Sequence, residues 1–401
     1  MTNIHSNRTL RYYIKVLIAI LMPFLILYHS DLSAKEKASG FVFNPKSEYW
    51  PTKGWKTSTP EKQGMSSEIL TEIFEDIENR DLSIDSLMVV RNGYIVVEVN
   101  KRYFETLYPI YSSTKSFTSA IIGIALSKGH IKSVDQTISN FYPELLQKNG
   151  DSKIASITLK HLLTMSCGFE WPEIQTDYSN IENPVFQMVM SENWVNFLFS
   201  KPVTQEPGLE WNYNSGCSHL LFAVLYKTGL DVADFAQKYL FTPLGISNDQ
   251  YKWRKNSNGM LNGSHDLYMS PRGMAKFGYL YLKGGHWDGE QIIPKSWIEE
   301  STKNHMKMNW KLFDADHYGY KWYIQSFGFH SAGYKGQYIF VIPKFELVVV
   351  FTSDLIRQEL GEPIDLVKNY IVPAADASKP LPENQKAITI LNSKIERFIG
   401  N

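Results

Sequence analysis

Ser112 and Lys115 stand three residues apart in Tyr111-Ser112-Ser113-Thr114-Lys115-Ser116-Phe117, and no other Ser-x-x-Lys occurs in the 401 residues. On a helix such a pair shares a face, so the amine reaches the hydroxyl. A neutral lysine there can take the seryl proton and make Ser112 a nucleophile. Phe117, Ala120, Ile121, Ile124 and Ala125 recur at helical spacing up to Gly129, which predicts an apolar helix whose low dielectric lowers the lysine pKa. The free N–H groups and positive dipole at that helix's start suit an oxyanion formed on attack.

The elements that must carry the pair follow from the pattern around it. Met65 to about Asp81 is amphipathic through Ile69, Ile73, Phe74 and Ile77. Two apolar runs, Leu87–Val90 and Tyr94–Val99, flank Arg91-Asn92-Gly93, a hairpin signal. Leu159–Met165, Asn183–Phe199, His219–Tyr226, Val232–Phe241 and Arg272–Leu282 are helical in pattern, and strands return at Tyr318–Ser326, Gly336–Ile342 and Leu347–Ser353. The expected architecture is α+β. One five-stranded antiparallel sheet is built from both chain ends and flanked by helices, with a final helix near Gly361–Ile371. Its α/β part covers about 50–130 and 300–372, a helical insertion about 131–299, and 373–401 is a C-terminal tail.

A second motif, Tyr213-Asn214-Ser215, follows Pro207-Gly208-Leu209-Glu210-Trp211 and precedes the apolar stretch from His219. With Ser112 and Lys115 it resembles the serine β-lactamase and penicillin-binding-protein superfamily, in its class C, esterase and 6-aminohexanoate-dimer-hydrolase branch. Trp55–Glu61, Leu159–Met165, Ser270-Pro271-Arg272 and Gly284–Pro294 extend the likeness over roughly residues 50–372. The resemblance implies a β-lactamase-like fold and an acyl-enzyme on Ser112, with Lys115 and Tyr213 in proton transfer. It also implies that Ser215 orients Lys115 by a hydrogen bond, that the Ser112 and Ala332 N–H groups form the oxyanion hole, and that no cofactor is needed.

The third family motif is Lys-Thr-Gly, and in its place stands Phe329-His330-Ser331-Ala332-Gly333-Tyr334-Lys335-Gly336-Gln337. The missing lysine and threonine would hold a β-lactam carboxylate, so an ester or amide is the expected substrate, small or peptide-like. A β-lactamase or D-alanyl-D-alanine carboxypeptidase is the alternative, and a membrane-anchored sensor or binding protein without turnover a further one. His330 is a candidate to assist proton transfer, against the alternative of a plain strand residue. His161, in a Leu-Leu helix, is expected to be structural. Trp171, Trp194 and Trp211 are expected mainly in the core, with an acyl pocket as the alternative. Loops at 166–200 and 245–268 are expected to shape the pocket.

Lysine plus arginine equal aspartate plus glutamate at 41 each, which leaves no basic field for nucleic acid. Ten histidines and two cysteines show neither His-Glu-x-x-His nor Cys-x-x-Cys, so no metal is implied. Cys167 and Cys217 are expected as separate buried thiols, with pairing as the alternative in an exported chain. Arg8, Arg11 and Lys15 precede the apolar Val16–Tyr28, and Ala34 follows. That is the pattern of an export signal over residues 1–34, leaving a periplasmic or secreted protein. Retained, the same segment would be the chain's one attachment to a membrane.

Overall fold

The computed structural model describes residues 41–148, 152–308, 310 and 313–400. The stretch expected as an export signal, residues 1–34, lies outside them. Leu347–Ser353 (β8) is the apolar run Leu-Val-Val-Val-Phe-Thr-Ser, and all seven residues are buried. A strand apolar on both faces belongs at the centre of a covered sheet. Ile84–Arg91 (β1) pairs antiparallel with it on one side, and Gln337–Ile342 (β7) on the other. Val348 and Val350 pack with Phe277 and Leu280 of the helix Pro271–Leu282 (α4). The alternate residues Leu347, Val349 and Phe351 pack with Leu70 and Phe74 of the helix Ser67–Asn79 (α1).

Tyr94–Asn100 (β2) closes one edge through the Asn92-Gly93 turn, where both residues take positive φ, 52° and 87°. That is the geometry a two-residue hairpin demands and the reason for Asn-Gly. On the other side Phe329–Gly333 (β6) pairs with β7. Four of the five expected strands are present as β2-β1-β8-β7, β6 is the strand of the third motif, and the sheet continues to eight. Met306–Lys307 (β3), His317–Tyr318 (β4) and Tyr323–Ile324 (β5) add an edge in the order β6-β5-β4-β3. The single strand expected at Tyr318–Ser326 is thus divided into β4 and β5 by a turn in which Gly319 N donates to Trp322 O at 2.8 Å.

Helices lie near their expected places, with Asn183–Phe199 divided into Pro184–Met190 and Trp194–Phe199. The segment after 372, expected as a tail, carries the helix Gln385–Gly400 (α5), whose Leu391 and Phe398 pack with Phe74 of α1. Cys167 and Cys217 are joined as a disulfide, with Cα atoms 7.0 Å apart, so the expectation of separate thiols is corrected. Among the described residues no helix is long and apolar enough to cross a membrane.

Candidate active site

The helix Thr114–Ser127 (α2) is buried from Thr114 to Ala125. Its buried apolar residues belong to the larger core cluster, and its buried Ser116 and Thr118 donate to Lys321 O at 2.7 Å and Gly263 O at 2.8 Å. Ser112 precedes it in the tight turn Tyr111–Ser113. Tyr111 takes φ 45°, a left-handed conformation that costs a tyrosine about 1–3 kcal/mol. Side-chain bonds hold the turn, because Ser113 Oγ donates to Gln337 O at 3.0 Å and Ser331 Oγ donates to Ser113 Oγ at 3.1 Å.

Lys115 Nζ lies 2.9 Å from Ser112 Oγ and donates at 2.9 Å to Ser264 O. Its side chain is buried and sits 4.9 Å above the Tyr213 ring. Burial brings its pKa down to about 8, with the Glu173 charge working in the opposite sense. A usable fraction of free amine therefore exists at neutral pH. Tyr213 is buried and lines the cleft together with Ser112. Burial first, and the Glu173 charge second, push its pKa far up. Its phenol stays protonated and can donate a proton, whereas Lys115 is the stronger candidate to accept one.

Asn214 caps the helix Ser215–Lys227 (α3), its Oδ1 accepting from Cys217 N at 2.9 Å. This fixes Tyr213 just outside the helix start. Ser215, expected to hold Lys115, instead donates from Oγ to Glu173 Oε1 at 2.6 Å and from N to Oε2 at 2.7 Å. A carboxylate is a stronger acceptor than a shared ammonium is a partner, and Ser264 O takes the amine's bond instead. His330 is corrected as well. It is fully buried, neither ring nitrogen has a partner, and its ring stacks on Tyr323 at 5.2 Å. Burial brings its pKa down to about 3. It lines neither lobe of the cleft described below.

Ala332 does reach the site. The ladder of β5 on β6 ends at His330, so the strand runs on past it beside Ser112. Gly333 permits the approach, since a Cβ there would stand 2.3 Å from Ile110 O. The cleft at Ser112 has two lobes. The first is lined by Tyr213, Ala332, Ile174, Trp310, Phe313 and Arg357. The second is lined by Tyr111, Val185, Ser215 and His265. Tyr334 borders both, its ring in edge contact with Tyr111 at 5.6 Å and Tyr178 at 5.3 Å.

A family profile described as Beta-lactamase matches residues 73–357, more than half of the sequence. The chain belongs to the beta-lactamase family. Among its relatives, a lovastatin esterase of Penicillium rubens is 30% identical over 37% of this chain and 40% of its own. A 6-aminohexanoate-dimer hydrolase of Paenarthrobacter ureafaciens is 21% identical over 60% of this chain and 63% of its own. In both cases the match spans less than two thirds of the relative. A solved Bacillus anthracis protein, proposed to be a 6-aminohexanoate-dimer hydrolase, shares the fold with TM-score 0.63 at 21% identity, over 87% of this chain and 94% of its own.

Within this beta-lactamase fold the residue that sequence reasoning missed is Glu173. It is 1% exposed, and its two oxygens accept from Trp171 Nε1, Tyr178 Oη, Ser215 N and Ser215 Oγ. Nothing local separates it from Glu170, which is exposed; its partners Trp171 and Tyr178 come from its own loop and Ser215 from α3. Trp310 and Phe313 were missed because their segment has no periodicity. Trp171, Trp194 and Trp211 are core residues. His161 closes a capping box, its N–H bonding Thr158 Oγ1 and its Nδ1 accepting from Thr158 N. The 166–200 loop supplies Glu173, Ile174, Tyr178 and Val185, and the 245–268 loop His265.

Proposed function

We propose that this protein is an exported serine hydrolase that cleaves an ester or amide of a small acyl substrate through a seryl acyl-enzyme. The observation that carries the reading is the Lys115 Nζ at 2.9 Å from Ser112 Oγ, in a site that holds the amine at about 8. Lys115 takes the Ser112 proton as Oγ bonds to the acyl carbon. The developing oxyanion is held by the N–H groups of Ser112 and Ala332, each such donor being worth about 3–4 kcal/mol. Tyr213 gives its proton to the departing oxygen or nitrogen, and the Lys115 ammonium restores it. Water then releases the acid.

An apolar acyl group fits the first lobe, whose walls include Ile174, Trp310, Phe313 and Leu360. The names of the two relatives, an esterase and an amide-dimer hydrolase, support ester or amide chemistry. A β-lactam ranks lower, because Ser331-Ala332-Gly333 offers neither lysine nor threonine to a carboxylate. Export rests on residues 1–34 alone.

A fluorophosphonate probe followed by peptide mass spectrometry should place one adduct on Ser112, absent in Ser112→Ala. Turnover should then be compared on p-nitrophenyl esters, linear amides, a D-alanyl peptide and a chromogenic cephalosporin. An adduct on another serine would sink the reading, and efficient cephalosporin turnover without ester hydrolysis would reverse the substrate ranking.

A further inference from the structure

The second lobe holds an imidazole that the scheme above leaves idle. His265 belongs to a loop clamped onto α2 by three bonds: Thr118 Oγ1 donates to Gly263 O at 2.8 Å, Lys115 Nζ donates to Ser264 O at 2.9 Å, and Leu267 N donates to Thr114 Oγ1 at 3.3 Å. The loop therefore moves with the helix that positions Lys115. The His265 side chain is 22% exposed and lines the cleft together with Ser112. Its ring lies parallel to Trp194 at 6.0 Å.

The hydrogen bonds around it settle which nitrogen carries the proton. Asp266 Oδ2, a carboxylate oxygen, can only accept, so the Asn262 atom 2.9 Å away is the amide Nδ2. Asn262 Oδ1 is then an acceptor, and it takes Ser264 N at 2.9 Å and Ser264 Oγ at 2.8 Å. With its one proton committed to Asn262, Ser264 Oγ must accept from His265 Nδ1 at 2.7 Å. Nδ1 carries the hydrogen, and Nε2 is left with a lone pair. The nearest acid, Asp266 Oδ2, is 3.6 Å from Nε2, too far to hold a proton between them. Burial foremost and the Lys115 charge bring the imidazole pKa down to about 4, against the pull of Asp266. The ring is neutral wherever the enzyme would work.

The other titratable groups that line this lobe are poorer bases. Both Glu173 oxygens are already occupied by four donors. Burial raises the pKa of the Tyr111 and Tyr178 phenols, which keeps them protonated.

Resting on the hydrolase reading, we propose that His265 is a further catalytic residue, whose Nε2 takes the proton of the acyl acceptor, water, as it attacks the Ser112 ester from the second lobe. The water oxygen bonds to the acyl carbon and its proton passes to Nε2. The carbon–Oγ bond then breaks, and Ser112 Oγ takes that proton back from the imidazolium. Lys115, left as the free amine by acylation, is unchanged, so the resting site is restored and the released acid balances the water consumed. Lys115 and Tyr213 serve acylation, and His265 serves deacylation.

The test separates the two half-reactions by stopped-flow with a p-nitrophenyl ester in His265→Asn. Asparagine can still donate to Ser264 Oγ but has nothing at the Nε2 position. The expected result is a stoichiometric p-nitrophenol burst at a rate within about 3-fold of wild type, with steady-state turnover lower by about 100-fold, as loss of a general base predicts. Intact mass should show the acyl group accumulating on Ser112. In His265→Ala, added imidazole should restore release. Should His265→Asn release its acyl group as fast as wild type, or should burst and turnover fall in equal proportion, the role of His265 is overturned while acylation at Ser112 stands. Absence of any acyl group on Ser112 in the wild type and in His265→Asn alike would sink the hydrolase reading and this role together.

Discussion

Ser215 Oγ and Glu173 Oε1 meet at 2.6 Å, while the Ser215 amide meets Oε2 of the same carboxylate at 2.7 Å. The buried charge thus grips the first residue of α3 from two sides, and its field reaches both Lys115 and Tyr213. No cation is bonded to it among the described residues. Its contacts are all neutral donors, so it acts on the amine through space.

Two substitutions at Glu173 divide these roles. In Glu173→Gln the carbonyl oxygen keeps Trp171 Nε1 and Ser215 N, and the amide nitrogen can donate to the Tyr178 and Ser215 hydroxyls once they turn round. The fold should survive. Removing the negative charge disfavours the Lys115 ammonium, so the acid limb of kcat/KM should move to lower pH than in wild type. Glu173→Ala leaves the donors buried and unpaired and should cost about 3–5 kcal/mol in a denaturant titration. A limb that stays in place in Glu173→Gln would show that the charge is not felt at Lys115.

The pH profile of the wild type follows from the lowered lysine. The working form is the free amine, so kcat/KM should climb tenfold per pH unit below about 8 and level off above it. Lys115→Ala should remove that limb along with most of the activity. A limb centred near 6 would point to another base.

Tyr213→Phe should discriminate by leaving group. A phenol that only donates a proton matters for an amine or an alkoxide and hardly at all for p-nitrophenolate, which leaves unprotonated. Turnover of linear amides and alkyl esters should fall by about 10²–10⁴-fold, while the p-nitrophenyl burst changes little. Equal losses on both substrates would assign Tyr213 to activating Ser112 instead.

Gly333→Ala tests the oxyanion hole through the backbone. The added Cβ would stand 2.3 Å from Ile110 O, so β6 must move off the turn that carries Ser112. Loss of one oxyanion donor is worth about 10²–10³ in kcat, with KM nearly constant. Unchanged kcat would place the second donor elsewhere.

N-terminal sequencing of exported protein should find a chain beginning near Lys35. Recovery of the Val16–Tyr28 segment would instead make it an anchor.

Ser112 and Lys115 were legible because a three-residue helical offset is local geometry, and Tyr213 because its motif has a family likeness. The hairpin was legible from Asn92-Gly93. Ser215 and His330 were misassigned for one reason: which way a side chain turns depends on what packs against it, and neither Glu173 nor the Tyr323 stack is signalled nearby. His265 was invisible in the same way, one histidine among ten until the Asn262–Ser264 network fixes its proton. The edge strand β3 and α5 lay beyond what periodicity or the family motifs mark, and the one strand read at Tyr318–Ser326 is broken by the Gly319–Trp322 turn.

Ser86 of β1 and Thr352 of β8 share a hydrogen bond across 266 residues of sequence. The centre of the sheet therefore cannot zip up until nearly the whole chain has left the ribosome. At roughly 5–20 residues per second that is a wait of more than ten seconds, during which β1 and its apolar neighbours have no native partner. Long-range pairing of this kind folds slowly. If the chain is exported as proposed, that delay keeps it threadable until it has passed through a narrow translocation channel.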